Sequence, residues 1–180
     1  MKKFLIATVI IVLVPGLGAC SQGSEDPFAG PDASTEIPAI KSGTGAYEYA
    51  PVIEVVDGDT LRAIVGGRPQ SVRLIGIDTP ETLPGEPAEC YGPEAAARLA
   101  GLVEGKTVRL EADPSQGDRD RYGRLLRYVF LDGVDINRLL VEEGFAREFT
   151  FRTAYRYQTE FKEAEAAARE DGRGLWSACG

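Results

Sequence analysis

The 180-residue chain contains no histidine. Histidine is the usual general base near neutral pH and the commonest nitrogen ligand of zinc. Ser-His-Asp and Cys-His nucleophilic arrangements, histidine-based ribonuclease chemistry and histidine-containing zinc sites are therefore excluded. Any hydrolysis must rest on carboxylates, arginines, tyrosines, cysteines or an oxygen-ligated metal. Basic residues are also in deficit, with 20 Lys and Arg against 28 Asp and Glu. Residues 1–20 carry only Lys2 and Lys3 as charged groups, so the remainder holds 18 basic against 28 acidic residues, a balance of -10. That balance argues against tight, non-specific nucleic-acid binding through a broad basic face. It leaves room for an enzyme that grips one phosphate beside a metal. No internal repeat is present. The length fits one domain with a single core.

The one long apolar run, Phe4 to Val14, follows Lys2 and Lys3 and is too short and too early for an ordinary membrane-spanning helix. With the small residues after it, this is the pattern of a bacterial export signal over residues 1–19. The sequence Leu17-Gly18-Ala19-Cys20 resembles a lipobox, which implies acylation of Cys20; an incidental cysteine in a plain secretory signal is the alternative. Residues 20–46, rich in Ser, Gly, Pro, Asp and Glu, are expected to be a flexible tether holding a domain of residues 47–180 off the membrane. In an exported protein the two other cysteines, Cys90 and Cys179, are candidates for one disulfide; two unrelated buried thiols are the alternative.

Tyr49 to Val56 has strand composition, Asp57-Gly58 is a hairpin signal, and Thr60 to Val65 returns as a second strand. Gly66-Gly67 turns into a third strand, Ser71 to Ile77. Thr107 to Glu111 and Leu126 to Leu131 complete five. Helices are expected over Pro93 to Val103 (Ala96, Leu99, Ala100 and Val103 inward), Val134 to Glu143 (Ile136, Leu139 and Leu140 inward) and about Tyr157 to Glu170. Five short strands with three helices suit an α+β, mainly β, OB-fold Greek-key barrel.

The chemistry concentrates between Val55 and Thr82. Val55-Val56-Asp57-Gly58-Asp59-Thr60-Leu61 exposes Asp59 at a turn, and Val72-Arg73-Leu74-Ile75-Gly76-Ile77-Asp78-Thr79-Pro80-Glu81-Thr82 ends a strand in a polar cluster. Pro80 removes a donor and biases Thr79 toward extended geometry, which favours a fixed loop. Carboxylates from two turns with hydroxyl and carbonyl oxygens beside them suit a hard cation such as calcium. Arg73 feeds that cluster and can bind a phosphate bidentately. Asp120-Arg121-Tyr122-Gly123-Arg124 supplies a second candidate clamp. Taken singly, each has a plainer explanation: Asp59 as a turn residue, Asp78 and Glu81 as loop caps, Arg73 and Arg124 as surface arginines.

Together, from about Val52 to Trp176, these segments resemble the thermonuclease (staphylococcal nuclease) family. The resemblance implies an OB-type barrel with three helices and Ca2+ held by Asp59, Asp78 and the main-chain carbonyl of Thr79. Glu81 would orient or deprotonate the attacking water, Arg73 and Arg124 would grip the scissile phosphate, and Tyr122 would flank a substrate base. The implied reaction cleaves DNA or RNA at the bond to the 5′ oxygen, leaving 3′-phosphate ends. The chain departs from the pattern in the loop Leu83-Pro84-Gly85-Glu86-Pro87-Ala88-Glu89-Cys90, which is acidic and a residue shorter than in the basic members. The second base-flanking aromatic has no clean match among Phe149, Thr150 and Phe151, and Leu175-Trp176 is expected to be core. A monomer anchored at the extracytoplasmic membrane face is the resulting expectation. The competing readings are a catalytically silent nucleic-acid- or protein-binding surface lipoprotein, and one that uses calcium for adhesion or to hold its fold.

Overall fold

A computed structural model describes residues 47–82, 85 and 87–179. The expected export signal, Cys20 and the tether lie outside the described residues. Strands β1 (Tyr47–Val55), β2 (Thr60–Val65), β3 (Arg68–Leu74), β5 (Thr107–Glu111) and β6 (Leu125–Leu131) form a closed barrel. Neighbours run antiparallel, and a parallel β3–β6 pairing, Val72 opposite Leu125 and Leu74 opposite Arg127, closes it. That pairing joins the two ends of the five-stranded run. β1 serves two neighbours: its first half pairs with β5, its second with β2, and a register shift between Val52 and Glu54 provides the bend. Inward residues such as Ala50, Leu61, Val72, Leu74, Val108, Leu110 and Val129 fill the barrel.

Four helices surround it: α1 (Gly92–Val103), α2 (Ile136–Glu142), α3 (Gln158–Glu170) and the short α4 (Leu175–Ala178). The fourth was not expected. Leu175 packs in the core, but Trp176 is half-buried, with the Arg169 guanidinium 4.1 Å from its ring centroid. The apolar faces of α1 and α2 are rotated from expectation. Ala95 is buried while Ala96 and Ala100 are half-buried, and Asn137 and Val141 are buried while Leu139 is half-buried.

Two boundaries differ for clear reasons. The third strand stops at Leu74 rather than running to Ile77, because Gly76 takes a positive φ of 80°. Its Cα faces the Tyr155 ring so closely that a Cβ would sit 2.6 Å from it. The chain then resumes as β4 (Ile77–Asp78), pairing with β8 (Arg147–Glu148) in a separate small sheet. The second helix likewise begins later: Val134 and Asp135 form β7 against β6, and Asp135 caps α2 by accepting from the Arg138 N–H at 3.2 Å.

Two buried polar residues lock these connections. Asn137 accepts from Val129 N–H (3.0 Å) and donates to the carbonyls of Ile75 (2.9 Å) and Arg127 (3.3 Å), bracing the break before Gly76. Asp113 accepts from Ser115 N–H and Oγ, Tyr128 Oη and Arg156 N–H, joining the exit of β5 to the approach to α3. Burial alone would raise the Asp113 pKa, but these donors outweigh it and hold the carboxyl below its usual range. A depressed carboxylate adds stability above its unfolded pKa and loses it as pH falls through the folded value. Asp113→Ala is expected to cost about 3 kcal/mol at pH 7, measured by urea denaturation. That difference should narrow below about pH 4; one independent of pH would contradict the ionic role.

Candidate functional site

The break after β3 delivers the polar loop to the turn between β1 and β2. The turn is tightened by Val56 N–H and Asp57 N–H, both donating to the Thr60 carbonyl, and by Asp59 N–H donating to Asp57 Oδ1 at 3.0 Å. Gly58 is needed for close approach. A Cβ there would lie 2.7 Å from Thr79 Oγ1 and 2.8 Å from Ala95 Cβ. The turn thus packs directly on the 77–81 loop and on α1.

Asp59, expected to be exposed at this turn, is instead buried by that packing and is 5% exposed. Its Oδ2 accepts from Thr79 N–H at 3.1 Å and lies 2.9 Å from Arg73 Nη2; its Oδ1 accepts from Thr60 Oγ1 at 3.0 Å. Arg73 Nη2 also reaches Asp78 Oδ1 at 3.0 Å, while its Nη1 donates to the carbonyls of Leu74 (2.9 Å) and Ile77 (2.8 Å). Arg124 is held by Asp120, with Nε to Oδ2 at 2.7 Å, and its Nη1 donates to Thr60 Oγ1 at 3.3 Å. Thr60 therefore links Arg124 to Asp59 and hence to Arg73. The expected set of Asp59, Asp78, Thr79, Arg73 and Arg124 is assembled at one place, with Glu81 on the exposed loop that follows.

Charge at this place is poorly balanced. Burial pushes the Asp59 carboxyl up to about 7, with Arg73 opposing and Asp57 adding to the rise. Glu81 is raised as well, first by partial burial and then by Asp57 and Asp78, with Arg73 opposing. A buried carboxylate that one guanidinium leaves undercompensated, among hard oxygen donors, fits a divalent cation such as calcium. Among the described residues no three acids, cysteines or histidines cluster as a metal cage. The set here has another composition, two carboxylates with the Thr79 backbone beside them.

Alongside runs a groove of about 600 Å3 whose lining includes Arg73, Arg119, Arg121, Arg124 and Arg152, with Asp120 the acid among its lining residues. Tyr122, 68% exposed, stands in it with the guanidinium carbons of Arg121 and Arg124 4.7 and 5.4 Å from its ring centroid. Phe149 and Phe151 also line it, ring centroids 6.4 Å apart and both exposed. Sequence reasoning placed Tyr122 here and left Phe149 and Phe151 unassigned. It missed Thr60 and Asp120 as supports. The pairing of Thr60 with Arg73 across β2 and β3, and the i, i+4 spacing of Asp120 and Arg124, are the signals that point to them. Cys90 and Cys179 are joined as a disulfide behind the Glu81 loop.

The staphylococcal nuclease homologue family profile matches residues 71–178. The chain is 40% identical over 127 residues to a thermonuclease of Staphylococcus hyicus, covering 70% of this chain and 74% of that protein. It is 32% identical to endonuclease YncB of Bacillus subtilis (strain 168) over an alignment spanning 100% of this chain and 94% of the relative. A thermonuclease of Staphylococcus intermedius is 36% identical over 126 residues, with 69% and 74% of the two chains covered.

The packing of the turn against the loop gives a direct test. Gly58→Ala should force Thr79 and Ala95 apart and destabilise the protein by about 1–3 kcal/mol in chemical denaturation. Unchanged stability would show that the turn does not rest on the loop.

Proposed function

Since the chain belongs to the staphylococcal nuclease homologue family and is a hydrolase of phosphodiester bonds in nucleic acid, we propose that it is a calcium-dependent nuclease anchored outside the cytoplasm. The observation that carries this reading is the convergence of Asp59, Asp78 and Thr79 with Arg73 and, through Thr60, Arg124. Asp59, Asp78 and the Thr79 carbonyl would hold calcium, which when bound would supply neutralising charge beside the phosphate. Arg73 and Arg124 hold the scissile phosphate and stabilise the charge that builds on its oxygens. Arginine does not give up its proton at working pH, so both act as fixed cations. Glu81 takes a proton from the attacking water. The water oxygen bonds to phosphorus, the bond to the 5′ oxygen breaks, and solvent protonates that oxygen. A 3′-phosphate remains.

Tyr122, Phe149 and Phe151 offer ring faces to bases, and Arg119, Arg121 and Arg152 offer charge to neighbouring phosphates. Export and acylation of Cys20 would carry the domain to the membrane surface, and the protein acts as a monomer. Among the described residues no helix is long and apolar enough to cross a membrane; the anchor rests on the residues 17–20 pattern.

Glu81→Gln and Arg73→Ala should each lower calcium-stimulated DNA hydrolysis by about 100-fold or more, with 3′-phosphorylated products. Chelation should abolish cleavage, whereas chelator-resistant cleavage at the wild-type rate would overturn the metal reading. Cys20→Ala should leave the membrane fraction for the soluble one; retention at the wild-type level would defeat the anchor.

A further inference from the structure

Most described residues of the loop that carries Glu81 face solvent. Gly85, Pro87, Ala88, Glu89 and Cys90 are exposed. Among the described residues, a reciprocal pair of hydrogen bonds closes the loop: Glu89 N–H donates to the Glu81 carbonyl at 2.9 Å, and Glu81 N–H donates to Glu89 Oε2 at 3.1 Å. Exposed hydrogen bonds of this kind are individually weak and open easily. The next residue, Cys90, is bonded to Cys179, 89 positions away. Cys179 is itself fixed. Its N–H donates to the Leu175 carbonyl at 3.0 Å, Leu175 is buried, and Leu175 N–H donates to the Gly144 carbonyl at 2.9 Å. Beyond Cys90, Tyr91 stacks on Phe145 with centroids 5.4 Å apart. Gly92 presses on the carbonyls of Pro80 and Glu81 so closely that a Cβ would lie 2.9 and 3.0 Å from them.

From this arrangement we infer that the Cys90–Cys179 disulfide is a positioning element for catalysis: it fixes Glu89, and through Glu89 the backbone of Glu81, against the core. The inference rests on Glu81 being the base. A disulfide that only stabilised the fold would leave kcat unchanged wherever both forms are folded. One that positions Glu81 acts on the proton-transfer step and spares phosphate and calcium binding, because Asp59, Arg73 and Arg124 are held by the barrel strands and by Thr60, Thr79 and Asp120.

The test compares the full chain with its Cys90→Ser/Cys179→Ser variant at a temperature where circular dichroism shows both folded. The expected result is a fall of about tenfold in kcat on single-stranded DNA, with KM and the calcium midpoint within about twofold. In a Glu81→Gln background, removing the disulfide should change the residual kcat no further. Glu89→Ala should reproduce the kcat loss with the disulfide intact, and Glu89→Gln, which keeps an acceptor oxygen, should recover most of it. An unchanged kcat in the double-serine variant, or an equal loss in the wild-type and Glu81→Gln backgrounds, would overturn the inference and leave the base assignment standing. Wild-type turnover by Glu81→Gln would instead remove the base assignment, and this inference with it.

Discussion

A buried carboxylate facing a nearly buried guanidinium organises this molecule. Asp59 follows Gly58 in a turn that packs on Thr79, and Arg73 rises from the strand directly beside it. Burying either charge alone costs several kcal/mol, so each requires the other. The pair does more than cancel. Thr79 N–H, Thr60 Oγ1 and Asp78 all attach to it, so one ionic contact sets the places of the loop after β4 and, through Thr60, of Arg124. Burial pushes the Asp59 carboxyl upward, and Arg73 opposes that rise.

The wider charge distribution follows the same economy. A chain with a surplus of acids gathers five arginines along one groove, with three exposed aromatic rings among them. Local potential, not net charge, steers a polyanion to such a groove. Base faces on aromatic rings add affinity that salt screens little. The acidic composition therefore limits non-specific adhesion elsewhere on the surface without emptying the site.

The barrel was largely legible because its signals are local: alternating apolar residues, and glycine pairs where tight turns must form. The residues of the centre were legible because Asp59, Arg73, Asp78, Thr79, Glu81 and Arg124 stand at spacings shared with a known family. What escaped depends on three-dimensional closeness. The strand end at Leu74 is imposed by the Tyr155 ring against Gly76, a contact 79 positions apart. The inward face of α2 includes Asn137 because barrel carbonyls need a donor there, which no apolar period reveals. Thr60 looks like an ordinary strand residue until its hydroxyl is seen between Asp59 and Arg124. Phe149 and Phe151 became groove residues only once β8 had been placed beside β4.

The proposed reaction requires oxygen atoms from the Asp59 turn and the Asp78–Thr79 loop to serve one cation while Arg73 and Arg124 face the substrate phosphate. Its most direct test is a crystal structure of the protein grown with calcium and a nucleoside 3′,5′-bisphosphate. The expected density is a single ion touching Asp59, Asp78 and the Thr79 carbonyl, with a phosphate contacted by both arginines. An ion bound elsewhere, or a phosphate that neither arginine touches, would contradict it.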